Sequence, residues 1–122
     1  MIYPETKILI SDNSGAKVAK CIKVMNSSRH RGSKPSDLAV ISLRKVKSNK
    51  KLRKGEIHRG VIIRCKKNFQ RSSGVSIKFG DNAIVLVNEK NLPLSSRIFG
   101  PIYKELYYKN FSKVLSLAKT IV

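Results

Sequence analysis

Between Lys17 and Arg71 the chain alternates apolar and basic residues in short runs broken by turn formers, and this pattern restricts the fold more than any other feature. Alternation of period two buries one face of a strand and charges the other. The 55 residues hold 18 Lys or Arg against two acids, Asp37 and Glu56, a balance of +16 in a chain whose total is +19. The stretch therefore reads as strands that share a core on one side and face a polyanion on the other.

Six strand-like runs can be placed in order. Ile8-Leu9-Ile10 stops at Asp12-Asn13-Ser14-Gly15, where Asp and Asn bond their own backbone and Gly accepts positive φ, so a tight reversal is expected. Val18 to Met25 reads as the second strand, with Val18, Ile22 and Val24 on one face, Cys21 and Lys23 on the other, and a fault in the alternation at Lys20. Asn26 to Ser36 is a loop, Leu38 to Val46 the third strand and Ile57 to Cys65 the fourth. Asn68 to Gly74 is a basic turn; Val75 to Phe79 and Ile84 to Val87 are the last strands, parted by Gly80-Asp81-Asn82. Lys47 to Gly55 has Leu52 as its one apolar residue, cannot bury a face, and is expected to project as a mobile loop or ribbon tip.

Past Pro93 the spacing changes. Tyr107, Phe111, Val114, Leu115 and Ala118 recur at helical intervals, with Asn110 as the expected N-cap. Strands joined without helical crossovers predict a mainly β fold, an antiparallel sheet closed into a small barrel, because closure removes exposed edges. A chain of 122 residues supplies one modest core, so residues 1–122 are expected to form a single domain with a helical region at about 103–118.

Like charges at this density repel one another in a compact state, and nucleic acid supplies the missing counter-charge. No stretch approaches the roughly 18 apolar residues of a membrane span, and Met1 to Lys7 lacks the order of a signal peptide. Neither a membrane nor self-association is expected. Cys21 and Cys65, 44 positions apart without metal or redox spacing, read as free buried thiols of a reducing compartment. Acids are scattered singly, His30 and His58 sit in basic surroundings, and no glycine-rich phosphate loop occurs. No catalytic, metal-binding or cofactor-binding residue is assigned.

The basic residues carry the functional expectation. Arg29, Arg31 and Lys34, then Arg44, Lys45 and Lys47, then Lys50, Lys51, Arg53 and Lys54, and finally Arg64, Lys66, Lys67 and Arg71 cluster at loops and strand ends, with Lys17 and Lys23 on the second strand. They are expected to contact phosphate. Phe69 is the only aromatic among them, which favours reading the shape and backbone of folded RNA over base stacking. Two rivals stay open: a free oligonucleotide-binding barrel, which would need stacking aromatics, and a ribonucleoprotein enzyme, which would need clustered acids or histidines.

Particular residues then suggest a family. Asp12-Asn13-Ser14-Gly15-Ala16 followed by Cys21-Ile22-Lys23-Val24, and Arg97-Ile98-Phe99-Gly100-Pro101 followed by Glu105-Leu106, resemble the ribosomal large-subunit protein L-fourteen family, as do Gly60-Val61-Ile62-Ile63, Ser73-Gly74, Phe79, Asn82, Val85 and Leu86 between them. Departures are Lys119-Thr120 where the family usually has Pro-Glu, Ser36 for a common Gly before Asp37, and no Pro between Lys47 and Asn49. The resemblance implies a five-stranded barrel with a protruding ribbon and short C-terminal helices, a structural protein that binds large-subunit rRNA and forms bridges to small-subunit rRNA. It also implies contacts with neighbouring large-subunit proteins and, in bacteria and organelles, docking of a ribosome-silencing factor. That surface maps onto Ser96, Arg97, Lys113 and Ser116, with Ser96 in place of a usual Thr.

Richness in Lys, Ile, Asn and Ser, with a start that coincides with the family's own, leads to the expectation of an organelle-encoded protein of the mitochondrial matrix. A plastid or an AT-rich bacterial cytoplasm is the alternative.

Overall fold

The computed structural model describes residues 2–25, 34–47 and 51–122. Five strands, β1 (Lys7–Ile10), β2 (Ala16–Val24), β3 (Leu38–Val46), β4 (Ile57–Arg64) and β7 (Ala83–Val87), close into a barrel in the order β1-β2-β3-β4-β7. A separate two-stranded ribbon joins β5 (Phe69–Gln70) to β6 (Ser76–Ile77). The mainly β, five-stranded closed barrel is thus as expected, with two differences. The β1–β7 seam that closes it is parallel, pairing Leu9 with Ala83 and Ile10 with Ile84, so the sheet is not wholly antiparallel. The stretch read as a basic turn, Asn68 to Gly74, opens with β5.

Inward residues of the barrel, including Ile8, Ile10, Ala19, Cys21, Ala39, Ile41, Leu43, Ile62, Ile84 and Leu86, make one buried cluster. β3 keeps the alternation throughout this cluster, but β2 does not. A register shift between Cys21 and Lys23 inserts a bulge, which puts two consecutive residues on the outer side and reverses the phase of the strand. Ile22 therefore stands 46% exposed while Ala19, Cys21 and Val24 are buried, which corrects the face assignment made from spacing alone.

β7 and residues 61–63 of β4 are apolar on both faces because each is covered twice. Val61, Ile63, Ala83, Val85 and Val87 on their outer side pack with Ile77, Ile102, Tyr103, Leu106, Phe111 and Val114 in a second cluster. The C-terminal segment thus lies on the outside of the β4–β7 seam, across the barrel from β2. It comprises a 3-10 helix (Lys104–Lys109) and the helix α1 (Ser112–Leu117). Asn110 is not an N-cap: it closes the 3-10 helix in the left-handed conformation (φ 65°, ψ 30°) with its N–H bonded to the Leu106 carbonyl. Asn tolerates that conformation where most residues do not. The chain end then returns beside Ile102, whose N–H bonds the Thr120 carbonyl at 3.1 Å while Val122 N–H bonds the Ile102 carbonyl at 2.8 Å.

The loop after β3 is less detached than its composition suggests. Leu52 packs against the barrel core, and Gly55 N–H bonds the Leu43 carbonyl at 2.8 Å. One apolar residue is enough to bring the described end of the loop down onto the barrel.

Candidate nucleic-acid interface

The outer faces of β1, β2 and β3 form a groove of about 580 Å³ walled by Lys7, Lys20, Arg44, Lys45 and Lys54 over a floor that includes Leu9 and Val18. The ladders explain the convergence. Lys7 pairs directly with Lys20, Lys20 with Ser42, Leu9 with Val18, and Val18 with Lys45. Side chains two apart on a strand share a face, so the pairs Lys7/Leu9 and Val18/Lys20 line up across the reversal. A bulge between Val18 and Ala19 lets both Arg44 and Lys45 reach the rim. Lys54 joins them from the anchored loop. No acid is among the described residues that line the groove.

Two lysines directly opposite on antiparallel strands repel each other, and three further cations intensify the local potential over a floor of low polarity. Such a groove attracts an anionic chain and is relieved by it. The arrangement suits a phosphodiester backbone: several cations at strand spacing, with apolar surface between them.

Of the other residues assigned to phosphate contact, Lys17, Lys23, Lys34, Lys47, Lys51, Arg53, Lys66 and Lys67 are exposed. Lys17 and Lys47 line a second, more polar depression near the Asp12–Gly15 turn. Arg29, Arg31 and Lys50, like His30, lie outside the described residues.

Two arginines are turned inward. Arg64 is 7% exposed; its Nε and Nη2 donate to the Asp81 carboxylate at 2.9 and 3.2 Å, Nη2 also to Ser11 Oγ at 2.6 Å, and Nη1 to the Phe99 carbonyl at 2.8 Å. A guanidinium engaged in this way has no edge left for phosphate, so Arg64 is a structural residue, contrary to its grouping by sequence. Burial at the end of a strand, with Asp81 arriving from a distant turn, could not be seen in the spacing. Arg71 pairs with Glu105 and donates to the Val122 carbonyl, tying the β5–β6 ribbon to the C-terminal segment.

Lys7 and Lys20 were missed for a simple reason. Lys20 looked like a fault in an alternation, and Lys7 lies outside the densest basic stretch. Their same-face spacing across the turn, Lys7-x-Leu9 against Val18-x-Lys20, was the available signal.

The residues marked for protein contact are all exposed: Ser96 and Arg97 before a bridge from Asp12 to Ile98, Lys113 and Ser116 on α1. Asn13 positions the first pair, its Oδ1 accepting the N–H groups of Ser96 at 3.2 Å and Arg97 at 3.1 Å. Phe99 N–H also bonds the Ser11 carbonyl at 2.8 Å. The two motifs that carried the resemblance thus form one spatial unit, with Arg64 beneath it. Gly100, at φ 81°, sits where any side chain would collide with the Arg64 guanidinium.

Titratable groups add little chemistry. A hydrogen bond from the His58 ring, at 2.8 Å, lowers the Glu56 carboxyl from its ordinary value. Burial pushes the Cys21 thiol up, and both cysteines are buried thiols. Among the described residues no group of three or more His, Cys, Asp or Glu could hold a metal ion, and no helix is long and apolar enough to cross a membrane.

The family model for ribosomal protein L14p/L23e matches residues 1–122. The chain belongs to that family. It is a structural, non-enzymatic protein of the large ribosomal subunit that binds rRNA and works in translation, and its partners are rRNA and other ribosomal proteins.

Proposed function

We propose that the β1–β2–β3 groove holds the large-subunit rRNA backbone, with Lys7, Lys20, Arg44, Lys45 and Lys54 neutralising its phosphates. The cations Lys17, Lys23, Lys34, Lys47, Lys51, Arg53, Lys66 and Lys67, with Arg29, Arg31 and Lys50, make further phosphate contacts. One observation carries this reading: Lys7 and Lys20 stand directly opposite each other in a groove with no acid among its described lining residues, an arrangement that a bound anion makes favourable. A rigid barrel loses little entropy on placement, while loop cations order against phosphate as they bind.

On this reading residues 1–122 act as one domain with two working sides. The segment with Ser96 and Arg97 and the helix with Lys113 and Ser116 face protein neighbours, small-subunit rRNA at intersubunit bridges, and a ribosome-silencing factor. Richness in Lys, Ile, Asn and Ser supports an AT-rich organellar genome and a place in the mitochondrial ribosome. Sedimentation of the source lysate or organelle at moderate salt tests the assignment. Cofractionation with intact large subunits is expected; release as a monomer at physiological salt would contradict it. Arg97→Glu should spare rRNA binding and impair subunit joining, and loss of incorporation into the particle would contradict the division into two sides.

A further inference from the structure

Phe69, the one aromatic among the basic clusters, is half-buried, its ring edge-on to Tyr103 with centroids 5.9 Å apart. It belongs to the core. Tyr3, Phe99, Tyr107 and Tyr108 reach solvent, and the last two, at 67% and 77%, are the most exposed aromatics among the described residues. Their rings meet edge to face, centroids 5.7 Å apart and planes at 81°. The 3-10 helix explains why both point outward. With three residues per turn, Leu106 and Lys109 share one line, Lys104 and Tyr107 a second, Glu105 and Tyr108 a third. Leu106 is fully buried under the helix and anchors it, and the two other lines are left to present the rings.

The charge around the rings is also one-sided. Lys104, Lys109 and Lys113 are exposed on this segment. The nearest acids are already committed, Glu105 to Arg71 and Asp37 to Lys109. An edge-to-face pair fixes the angle between two rings and leaves aromatic face open, so a flat ligand can stack without the rings having to be ordered first.

We propose that Tyr107 and Tyr108 form a stacking platform for an unpaired RNA base, with Lys104, one turn before Tyr107 on the same 3-10 helix, on a flanking phosphate. This is a second RNA contact, on the β4–β7 side of the barrel and away from the groove, and it rests on the RNA-binding reading of the chain. Lysine is depleted from the cores of protein–protein interfaces, whereas aromatic rings interleaved with cations are the usual make-up of a surface for unpaired bases. A protein partner is therefore the weaker fit.

The test uses the full chain and two RNA hairpins, one fully paired and one carrying a single bulged 2-aminopurine. The variant Tyr107→Leu with Tyr108→Leu keeps apolar area but removes the rings. Stacking is worth about 1–3 kcal/mol per base, so this variant should bind the bulged hairpin roughly tenfold more weakly and lose the fluorescence change of the probe. Its affinity for the paired hairpin and its log-log salt slope should be unchanged, since no cation is removed. Tyr→Phe at both positions should retain binding. Full affinity of the Leu variant for the bulged hairpin would overturn the proposal. So would a Leu variant that keeps full RNA affinity but fails to enter large subunits, which would give the rings to a protein. Replacing Lys7, Lys20, Lys45 and Lys54 by Ala should weaken both hairpins. If that holds while the Leu variant is normal, the platform alone fails; if wild type binds neither hairpin in a salt-dependent way, the RNA reading itself fails.

Discussion

Asn13 holds Arg97 from 84 positions away, its side-chain oxygen 3.1 Å from the Arg97 backbone nitrogen. The same oxygen takes the Ser96 N–H, and Asn13 Nδ2 donates to Ser96 Oγ at 3.1 Å. A turn that reads as local punctuation is in fact the clamp that presents an exposed arginine.

Asn13→Ala should destabilise the protein by about 1–2 kcal/mol, the net worth of a small group of partly solvated hydrogen bonds. Amide hydrogen exchange should accelerate at Ser96 and Arg97 above all. Asn13→Asp keeps the acceptor and should retain most of the protection; equal loss in both variants would mean that the acceptor is not what holds the segment.

Arg64 gives the opposite prediction to the one its neighbours in sequence suggest. Arg64→Lys cannot span Asp81, Ser11 and Phe99 at once, and breaking a buried pair costs about 3 kcal/mol or more. Urea denaturation should show that loss, while the salt slope of RNA binding of the folded variant stays at the wild-type value. A lower slope with normal stability would put Arg64 back among the phosphate contacts.

Ser36 is buried with φ 67°, in the left-handed region that costs a residue with a side chain roughly 1–2 kcal/mol. Its N–H bonds the Ile62 carbonyl at 3.0 Å, so β4 fixes the conformation. Ser36→Gly should stabilise the protein by about 0.5–1 kcal/mol after the greater chain entropy of Gly is subtracted, seen as a rise in thermal midpoint. A fall would mean that the Ser36 hydroxyl, bonded to the Pro35 carbonyl, matters more than the backbone.

How much of this could be read from the sequence varies with the physics involved. The third strand matched from Leu38 to Leu43, where one face is buried with an unbroken period, and departed from it at Arg44 and Lys45, two consecutive exposed residues at the bulge opposite Val18. The second strand was misphased at Ile22, since a bulge leaves no mark in the pattern. The mostly apolar β4 and the wholly apolar β7 were visible as strands, but what covers their outer faces depends on the return of the C-terminal segment. The site was half legible: charge density named the kind of partner, yet Lys7, Lys20 and the inward turn of Arg64 depend on register and on contacts between distant segments.

Lys7→Glu separates stability from function. Opposite Lys20 it turns a repelling cross-strand pair into an attracting one, worth about 0.2–1 kcal/mol, so the free protein should become more stable in urea. rRNA affinity should fall. A variant that binds rRNA as tightly as wild type would remove Lys7 from the interface.

The most direct test of the account is the salt dependence of binding between the full chain and large-subunit rRNA, with Lys7, Lys20, Lys45 and Lys54 together replaced by Ala. Each phosphate neutralised contributes roughly 0.7–0.9 to the log-log slope, so the variant's slope should be shallower by about 3 units, with its fold intact by circular dichroism. A slope unchanged from wild type would show that the groove does not hold the rRNA backbone.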